Sequence, residues 1–318
     1  MTIEIVPPGT DIDFIGKRTV AALLSAGLIL AGLLAIPVKG INWGIDFAGG
    51  TEIQVRFAPG VVASDGRIRE VVSGAAEIRD PTVVRYGDEA DNEFLIKFRG
   101  SLEAPGSEPR EGEEAKAAEA ETSDRIVRIE RSLVGQIGAL SIERVDFVGP
   151  RVGAELRDDG LLSLFWASLA ILVYITFRFS SRFAPGAIVA VIHDLLITAG
   201  VFVMLGLEFD LRVLAAMLAI LGYSLNDTII IYDRIRENME IRTKVDLPVV
   251  LNQSVNQTLS RTVLTSGTTL AALGALFFLG GEVIRPFAFA MILGVIVGTY
   301  SSIYIAAPVL LLLERTRS

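Results

Sequence analysis

Residues 211–232 read LRVLAAMLAILGYSLNDTIIIY, and Asp227 is the only charged residue in this run after Arg212. A helix of about 20 apolar residues is long enough to cross the hydrocarbon core of a bilayer. The stretch therefore predicts a transmembrane helix. It also places a carboxyl group inside the membrane, where a charge is costly and marks a candidate functional site.

Five more apolar runs of similar length occur in the chain. The six predicted spans are residues 19–38, 160–177, 183–207, 211–232, 262–279 and 286–313. Hydrophobic residues make up 51% of the 318 residues and the mean hydropathy is +0.52, which excludes an ordinary soluble globule. The first run is too long for the core of a cleaved signal peptide and predicts an uncleaved signal anchor. We therefore expect an α-helical membrane protein with six transmembrane helices.

Basic residues flank the predicted spans on one side. They are Lys17, Arg18, Arg178, Arg182, Arg234, Arg236, Arg242, Lys244, Arg315 and Arg317. Lysine and arginine in short loops stay in the cytoplasm. We therefore expect a cytoplasmic N-terminus (1–18), a cytoplasmic tail (314–318), and a cytoplasmic loop with an amphipathic approach to the fifth span (233–261). Residues 39–159 are then periplasmic, and the predicted location is the bacterial inner membrane.

Residues 39–159 are predicted to form one soluble domain between the first two spans. Strand patterns and helix patterns follow each other in the order β-α-β-β-α-β, which is typical of a ferredoxin-like domain. The predicted strands are residues 51–57, 81–86, 94–98 and 141–148, and the predicted helices are residues 64–76 and 124–137. Residues 100–122 are rich in Pro, Gly, Ala and Glu and predict a flexible acidic insert with some helical character at its end.

Composition excludes several classes of function. The net charge of -8 lies mainly in the soluble domain and argues against nucleic acid as a partner. The chain has no cysteine and one histidine, so we expect no disulfide scaffold, no thiol catalysis and no metal cluster. No hydrolase, nucleotide-binding or phosphate-binding motif is present at usable spacing. The sequence therefore predicts neither an enzyme nor a cofactor site.

Asp227 is the strongest candidate for chemistry. It lies six residues before the charged segment that opens at Asp233, so it is about 9 Å inside the cytoplasmic boundary. An acid at that depth must be protonated, hydrated or paired. Arg261, at the start of the next span, is the available cation, and the two are predicted to pair when Asp227 is ionised and separate when it is protonated. The plainer alternative is that Asp227 satisfies a water-lined helix contact while Arg261 snorkels to the headgroups.

Other polar and small residues in the spans have secondary roles. His193 and Asp194 lie about ten residues into the third span; neighbours on a helix point in different directions, so one is expected to face polar helices and the other to cap a hydroxyl or backbone group. Asn226 is a further intramembrane polar candidate. Small residues predict close helix contacts. They are Gly294 and Gly298 in the last span and Ala22, Ala26, Gly27 and Ala31 in the first.

A series of motifs, in this order, resembles the SecD/SecF family of protein-export membrane subunits, on its SecF side. The motifs are GIDFAGGT (44–51), VGPRVGAEL (148–156), GYSLNDT (222–228), DRIREN (233–238), TLSRT (258–262) and GVIVGTYSS (294–302). The resemblance covers the chain from about residue 14 to residue 313, and the order of motifs on this topology is highly specific. The acidic insert departs from the compact family domain.

The resemblance implies half of a transporter of the RND superfamily. SecD supplies the other half, and the pair works beside the SecYEG translocon on a translocating unfolded polypeptide, using the proton motive force. YajC and YidC are further implied partners, and the proton is the implied coupling ion. Asp227 and Arg261 match family positions associated with proton conduction. The family's glycine motif falls on Asp46, Gly49, Gly50 and Thr51.

For the glycine motif, the residues themselves favour a turn whose glycines adopt unusual backbone angles and which Asp46 could cap. Coupling between the soluble domain and the membrane is the alternative. Two other functions also stay open for the chain. An exporter of small molecules or lipids would need a drug-sized apolar pocket in its soluble part, and the predicted domain is small and acidic. A structural scaffold would keep its activity when Asp227 is replaced by Asn.

Overall fold

The computed structural model describes residues 7, 10–75, 78, 81–87, 91–98, 113–179, 182–241 and 245–315, with the backbone alone for 113–122 and 314–315. The chain divides into two compact units. We call Met1–Asn42 with Leu161–Ser318 the membrane unit and Trp43–Gly160 the soluble unit.

The helices and strands follow in an order that matches the predicted class. In chain order they are α1 (Arg18–Lys39), α2 (Ile45–Ala48), β1 (Gly50–Phe57), α3 (Asp65–Ala75), β2 (Thr82–Tyr86), β3 (Glu93–Phe98), α4 (Glu113–Gln136), β4 (Leu140–Val148), α5 (Pro150–Phe179), α6 (Ala184–Leu205), α7 (Leu211–Ile241), α8 (Leu247–Leu279), α9 (Gly281–Ser301), a π-helical segment (Ser302–Ala306) and α10 (Ala307–Arg315). Within the described part of the chain, six helices are long and apolar enough to cross a membrane: α1, α5, α6, α7, α8 and the continuous stretch from α9 into α10. The predicted six-span architecture is confirmed.

The soluble unit contains one four-stranded antiparallel sheet in the order β2-β3-β1-β4. Alternate residues of β1 point into the core because side chains alternate across a strand, and Ile53 and Val55 are fully buried there. Ile68 of α3 and Leu133 of α4 pack into the same core at helical spacing. This is the predicted ferredoxin-like unit. The helix α4 begins at Glu113, ahead of the predicted start, and residues 100–112 of the predicted insert lie outside the described residues.

The glycine motif forms a one-turn helix followed by two left-handed glycines. Gly49 has φ 74° and Gly50 has φ 156°, angles that side-chain-bearing residues avoid. A Cβ on Gly49 would lie 2.7 Å from Cα of Pro150. Gly153 makes a similarly close approach from the first turns of α5 to the backbone of Phe47. The motif therefore fixes the start of the sheet against the N-terminal end of α5.

In the membrane unit, small residues allow the predicted kind of close helix contact. A Cβ on Gly298 of α9 would lie 3.0 Å from Cβ of Ser224 on α7, so the GxxxG prediction is confirmed as a packing site. The small residues Ala22, Ala26, Gly27 and Ala31 of the first helix are all exposed in this chain, so their helix contact stays a prediction for a partner chain. The buried side of α1 instead carries Ala21, Ser25 and Gly32, and Gly32 meets Gly200 of α6.

The segment between the fourth and fifth spans differs from the prediction. Instead of a long loop and a surface-lying approach, α7 continues to Ile241 and α8 runs without a break from Leu247 to Leu279. The polar residues at the start of α8 bind to other residues of this chain, so they can belong to one continuous helix and need no separate segment on the membrane surface. Asn252 Oδ1 accepts hydrogen bonds from the backbone N–H groups of Phe14 and Ile15, and Asn256 pairs through both its amide atoms with the backbone of Ile12.

Candidate functional site

Asp227 lies on the inner side of α7, and its two carboxylate oxygens have different surroundings. The residue is 6% exposed. Its Oδ1 accepts a 2.6 Å hydrogen bond from the hydroxyl of Thr262 on α8. Its Oδ2 is buried and has no hydrogen-bond partner among the residues that the structure describes. A buried carboxylate oxygen without a donor is an unusual and costly feature, and it is the atom to which a proton can add.

Arg261 does not form an ion pair with Asp227. Its side chain is exposed on the outer side of α8 in this chain. Neighbouring residues of a helix are separated by about 100° around its axis. Because Thr262 faces Asp227, the preceding Arg261 faces elsewhere. The proposed pairing of the two residues therefore stays a prediction for another state or for an assembly with a partner.

Hydroxyl groups extend along the buried side of α8. Thr258, Thr262 and Ser266 are spaced four residues apart and are all buried, so they form one row on the helix. Ser266 contacts the hydroxyl of Thr299 on α9 at 2.7 Å. The row leads from the polar start of α8 past Asp227. Asn226, in contrast, is exposed on the other side of α7.

His193 and Asp194 form a second buried polar cluster. His193 Nδ1 lies 2.8 Å from Asp194 Oδ1, although neighbours on a helix were expected to point apart. Both side chains are long enough to meet beside the backbone. Asp194 Oδ2 accepts hydrogen bonds from Ser224 on α7 at 2.5 Å and from Ser301 on α9 at 2.8 Å. Asp194 is 1% exposed, so this carboxylate joins three helices in the interior.

The glycine motif belongs to the soluble unit. Asp46 lies in the first turn of α2, for which Gly44 is the N-cap residue. Thr51 is buried in β1 and pairs with Phe98 across the sheet. These positions agree with a structural role for the motif, while its coupling role stays a prediction.

Sequence reasoning missed the hydroxyl partners of the two acids. Thr262, Ser224 and Ser301 donate to Asp227 or Asp194, yet serine and threonine are frequent in membrane helices and often bond only to their own backbone. The signal that could have identified Thr262 is the four-residue spacing of hydroxyl residues along α8. The signal that could have identified Ser224 is its position one helical turn before Asp227, which places it on the same side of α7.

Comparison with known proteins gives matches along most of the chain. The family described as "Protein export membrane protein SecD/SecF, C-terminal" matches residues 129–316, and the "SecD/SecF GG Motif" matches residues 34–61. A relative from Calditerrivibrio nitroreducens, a "Protein translocase subunit SecF", is 38% identical over 99% of this chain and 98% of its own length. Its counterpart from Desulfurispirillum indicum is 41% identical over 93% and 90%.

Solved structures agree with these matches. The crystal structure of SecDF, a translocon-associated membrane protein from Thermus thermophilus, superposes with a TM-score of 0.79 at 34% identity and covers 97% of this chain. A super-membrane-facing form of SecDF superposes with a TM-score of 0.67 at 35% identity. The chain spans 39% and 40% of those two SecDF chains. It therefore belongs to the SecD/SecF family of protein-export membrane proteins, among the SecF subunits.

Proposed function

We propose that this chain is the SecF half of a SecDF assembly that helps the SecYEG translocon export unfolded polypeptides, and that protons moving down their gradient through Asp227 drive its action. The translocation role is supported by relatives that are translocase subunits over nearly their whole length. The proton is the proposed coupling ion, and the proposal includes no other cofactor.

The observation that carries the proton step is the unequal environment of the Asp227 carboxylate. Thr262 holds Oδ1, while Oδ2 is buried without a donor. Protonation of Oδ2 removes a buried charge and leaves the bond to Thr262 intact, so the site has two states that differ by one proton. Arg261 directly precedes Thr262 on α8, and as a cation it would stabilise the ionised carboxylate on approach. Its movement toward or away from Asp227 would connect the two states to helix motion.

The exposure of Arg261 supports a second membrane chain beside α8. A guanidinium on a spanning helix is costly when it faces lipid, so a protein partner or an aqueous path must cover it. SecD is the proposed partner on this side. YajC and YidC are also proposed as members of the assembly, on the family resemblance alone.

The proposed orientation follows from the distribution of charge. The basic residues near the ends of the spans favour cytoplasmic N- and C-termini in the bacterial inner membrane. The acidic soluble unit is then periplasmic, where it would meet the polypeptide as it leaves the translocon. The bilayer surrounds the membrane unit.

The proposal is tested with inverted membrane vesicles that contain SecYEG, SecD and this chain. Export of a model precursor is measured with and without a proton gradient, which a protonophore collapses. We expect Asp227→Asn to leave the assembly intact on copurification and to abolish the stimulation of export by the gradient. Asp159→Asn, an exposed acid on α5, serves as the matched control and keeps full stimulation.

Normal stimulation in the Asp227→Asn vesicles would reject the proton step and favour a structural scaffold. Export of a small molecule or lipid by the purified assembly, without a precursor protein, would favour the exporter alternative. Failure of SecD to copurify with the wild-type chain would reject the proposed pairing itself.

A further inference from the structure

The side chain of His193 belongs to a chain of hydrogen bonds that connects four helices. We use the name His193 network for Ser25, His193, Asp194, Ser224, Tyr300 and Ser301. It joins α1, α6, α7 and α9; Tyr300 is half-buried and the other members are buried. Asp227 is not among its members, since the described contact of that carboxylate is to Thr262. The described hydrogen bonds of the network are therefore separate from the Asp227 contact on which the proposed proton step rests.

The direction of the hydrogen bonds in this network can be assigned from Tyr300. Its hydroxyl lies 2.7 Å from the backbone carbonyl of Ala21, which can only accept, so the single phenol hydrogen points there. The same hydroxyl oxygen lies 3.0 Å from Ser25 Oγ. Because the phenol hydrogen is already used, Ser25 must donate to Tyr300. The one hydroxyl hydrogen of Ser25 is then used as well.

This assignment fixes the protonation of the far side of the imidazole. His193 Nε2 lies 2.9 Å from Ser25 Oγ. Since the hydrogen of Ser25 points to Tyr300, the hydrogen in this bond must belong to Nε2. A neutral imidazole carries one hydrogen, and here it lies on Nε2.

The near side of the imidazole then requires another proton. Nδ1 lies 2.8 Å from Asp194 Oδ1. If the imidazole is neutral with its hydrogen on Nε2, and the carboxylate is ionised, neither of these two atoms carries a hydrogen. Two lone pairs facing each other at that distance in a buried site would repel. The other oxygen, Oδ2, accepts from Ser224 at 2.5 Å and lies 2.8 Å from Ser301 Oγ, whose one hydrogen is shared with the Gly298 carbonyl at 3.1 Å. One additional proton between Nδ1 and Oδ1 satisfies every atom of the network.

We infer that His193 and Asp194 form a second proton-binding site of the membrane unit, which holds one proton in the Nδ1···Oδ1 bond. The proton can be written on either partner, as imidazolium with carboxylate or as imidazole with carboxylic acid, and the pair is neutral in both forms. A neutral pair is also the form that a buried position favours, because no net charge is desolvated. The inference deepens the proposed proton coupling but stands on contacts that do not include Asp227.

The surroundings of the pair contain one other titratable group. From α1 it meets Ser25, from α7 it meets Ser224, and from α9 it meets Tyr300 and Ser301. Of these contacts only the phenol of Tyr300 can ionise, and its hydrogen is held by the Ala21 carbonyl. The charge state of the pair is therefore decided by the pair itself and by the donors around it.

Loss of the proton would act on α1. Without it, either Ser25 rotates to donate to Nε2 and loses its hydrogen bond to Tyr300, or the His193–Asp194 bond opens while Ser25 keeps its partners. The helix α1 directly precedes the soluble unit in the chain. A proton at this site therefore stabilises the network through which α1 meets α6 and α9, while the Tyr300–Ala21 bond and the Gly32–Gly200 contact hold α1 in either case.

The single histidine of the chain makes the site directly observable. The full-length chain, labelled with ¹⁵N-histidine and purified through a histidine-free tag with SecD, is reconstituted in lipid vesicles and studied by solid-state NMR at pH values from 5 to 9. We expect Nε2 to be protonated at neutral pH and Nδ1 to share a proton with Asp194. A bare Nε2, with Nδ1 donating to an ionised carboxylate, would overturn the inference, because that form holds no additional proton.

A substitution of Tyr300 tests the donor assignment itself. In Tyr300→Phe the hydroxyl of Ser25 is free to donate to Nε2, so the pair can lose its proton without leaving an unpaired atom. We expect a bare Nε2, with Nδ1 donating to Asp194, in Tyr300→Phe under conditions in which the wild type keeps the Nε2 hydrogen. Tyr304→Phe is the matched control, since the Tyr304 ring packs on Tyr300 outside the His193 network, and its histidine spectrum should match that of the wild type. Equal histidine spectra of Tyr300→Phe and wild type would reject the assignment.

The two proton sites are distinguished in one further sample. The histidine spectrum of Asp227→Asn should match that of the wild type, because Asp227 makes no bond to the His193 network. We expect this match whether or not Asp227→Asn retains gradient-stimulated export. The export assay can therefore reject the proposed function while the histidine spectrum supports the second proton site, and the spectrum can reject the second site while the export assay supports the proposed function.

Discussion

Thr262 donates its hydroxyl hydrogen to Asp227 Oδ1 across the contact between α8 and α7, at 2.6 Å. The other oxygen of the same carboxylate, Oδ2, is buried and open. One oxygen is thus committed to holding two helices together while the other is available to a proton. This division lets the carboxylate change its charge without first breaking the helix contact.

The first prediction concerns the hydroxyl of Thr262. Thr262→Val keeps the shape of the side chain and removes the donor, which leaves both oxygens of Asp227 without a partner. We expect gradient-stimulated export in the vesicle assay to fall about tenfold, which corresponds to the loss of one hydrogen bond to a charged group. Thr262→Ser retains the donor and should retain most of the stimulation. Equal activity of the Val and Ser variants would show that the hydroxyl is not needed.

A second prediction distinguishes the effect of the Arg261 charge on export from the effect of the Arg261 side chain on the stability of the fold. Its side chain is exposed in this chain, so Arg261→Gln should change the unfolding free energy of the purified chain by no more than about 0.5 kcal/mol. The same variant should lose gradient-stimulated export, because the cation that favours ionised Asp227 is gone. Thermal unfolding in detergent and the vesicle assay measure the two effects. Arg236→Gln, at the exposed end of α7, is the control, and a drop in stability for Arg261→Gln alone would point to a packing role.

The glycine motif gives a third prediction. Gly49→Ala places a methyl group 2.7 Å from Cα of Pro150 at a residue with φ 74°, so we expect a loss of about 1–3 kcal/mol of stability. Gly74→Ala in α3 is a matched control with no atom within 4 Å of the added methyl, and a helical Gly→Ala change should be neutral or stabilising. Urea unfolding of the full chain, followed by a probe in the soluble unit, measures both. A Gly49→Ala protein as stable as wild type would contradict the close approach.

A fourth prediction tests how the N-terminal segment is attached. Asn252→Ala removes the acceptor for the backbone N–H groups of Phe14 and Ile15. The segment should open more often, and trypsin should cleave after Lys17 or Arg18 about tenfold faster. Gln253→Ala, one residue further along α8, is the control and should be cleaved at the wild-type rate. Unchanged cleavage of Asn252→Ala would mean that packing of Phe14 and Ile15 alone holds the segment.

These results show which features a sequence can predict for such a chain. The six spans and the strand order were predictable because each depends on a local pattern: apolar length in one case and period-two alternation in the other. Asp227 was predictable because an acid within an apolar run is rare. Each of these signals lies within one segment and needs no knowledge of its neighbours.

Features that depend on the rotation of a helix were not predictable in the same way. Small residues on α1 predicted a contact face, yet the buried side is about 100° away and carries Ala21 and Ser25. The same uncertainty applies to α8, where Thr262 faces Asp227 and Arg261 does not. A helix can also continue beyond the membrane, so the charged residues after Tyr232 ended the predicted span without ending α7.

The most direct test of the account measures proton movement itself. Vesicles that contain SecYEG, SecD and this chain are loaded with a pH-sensitive dye, and proton flux is recorded while a precursor is exported under a fixed gradient. The account predicts a flux that starts with export in the wild type and falls at least about tenfold in Asp227→Asn. An equal, export-linked flux in Asp227→Asn would contradict it, because protons would then cross by a route that does not include this carboxylate.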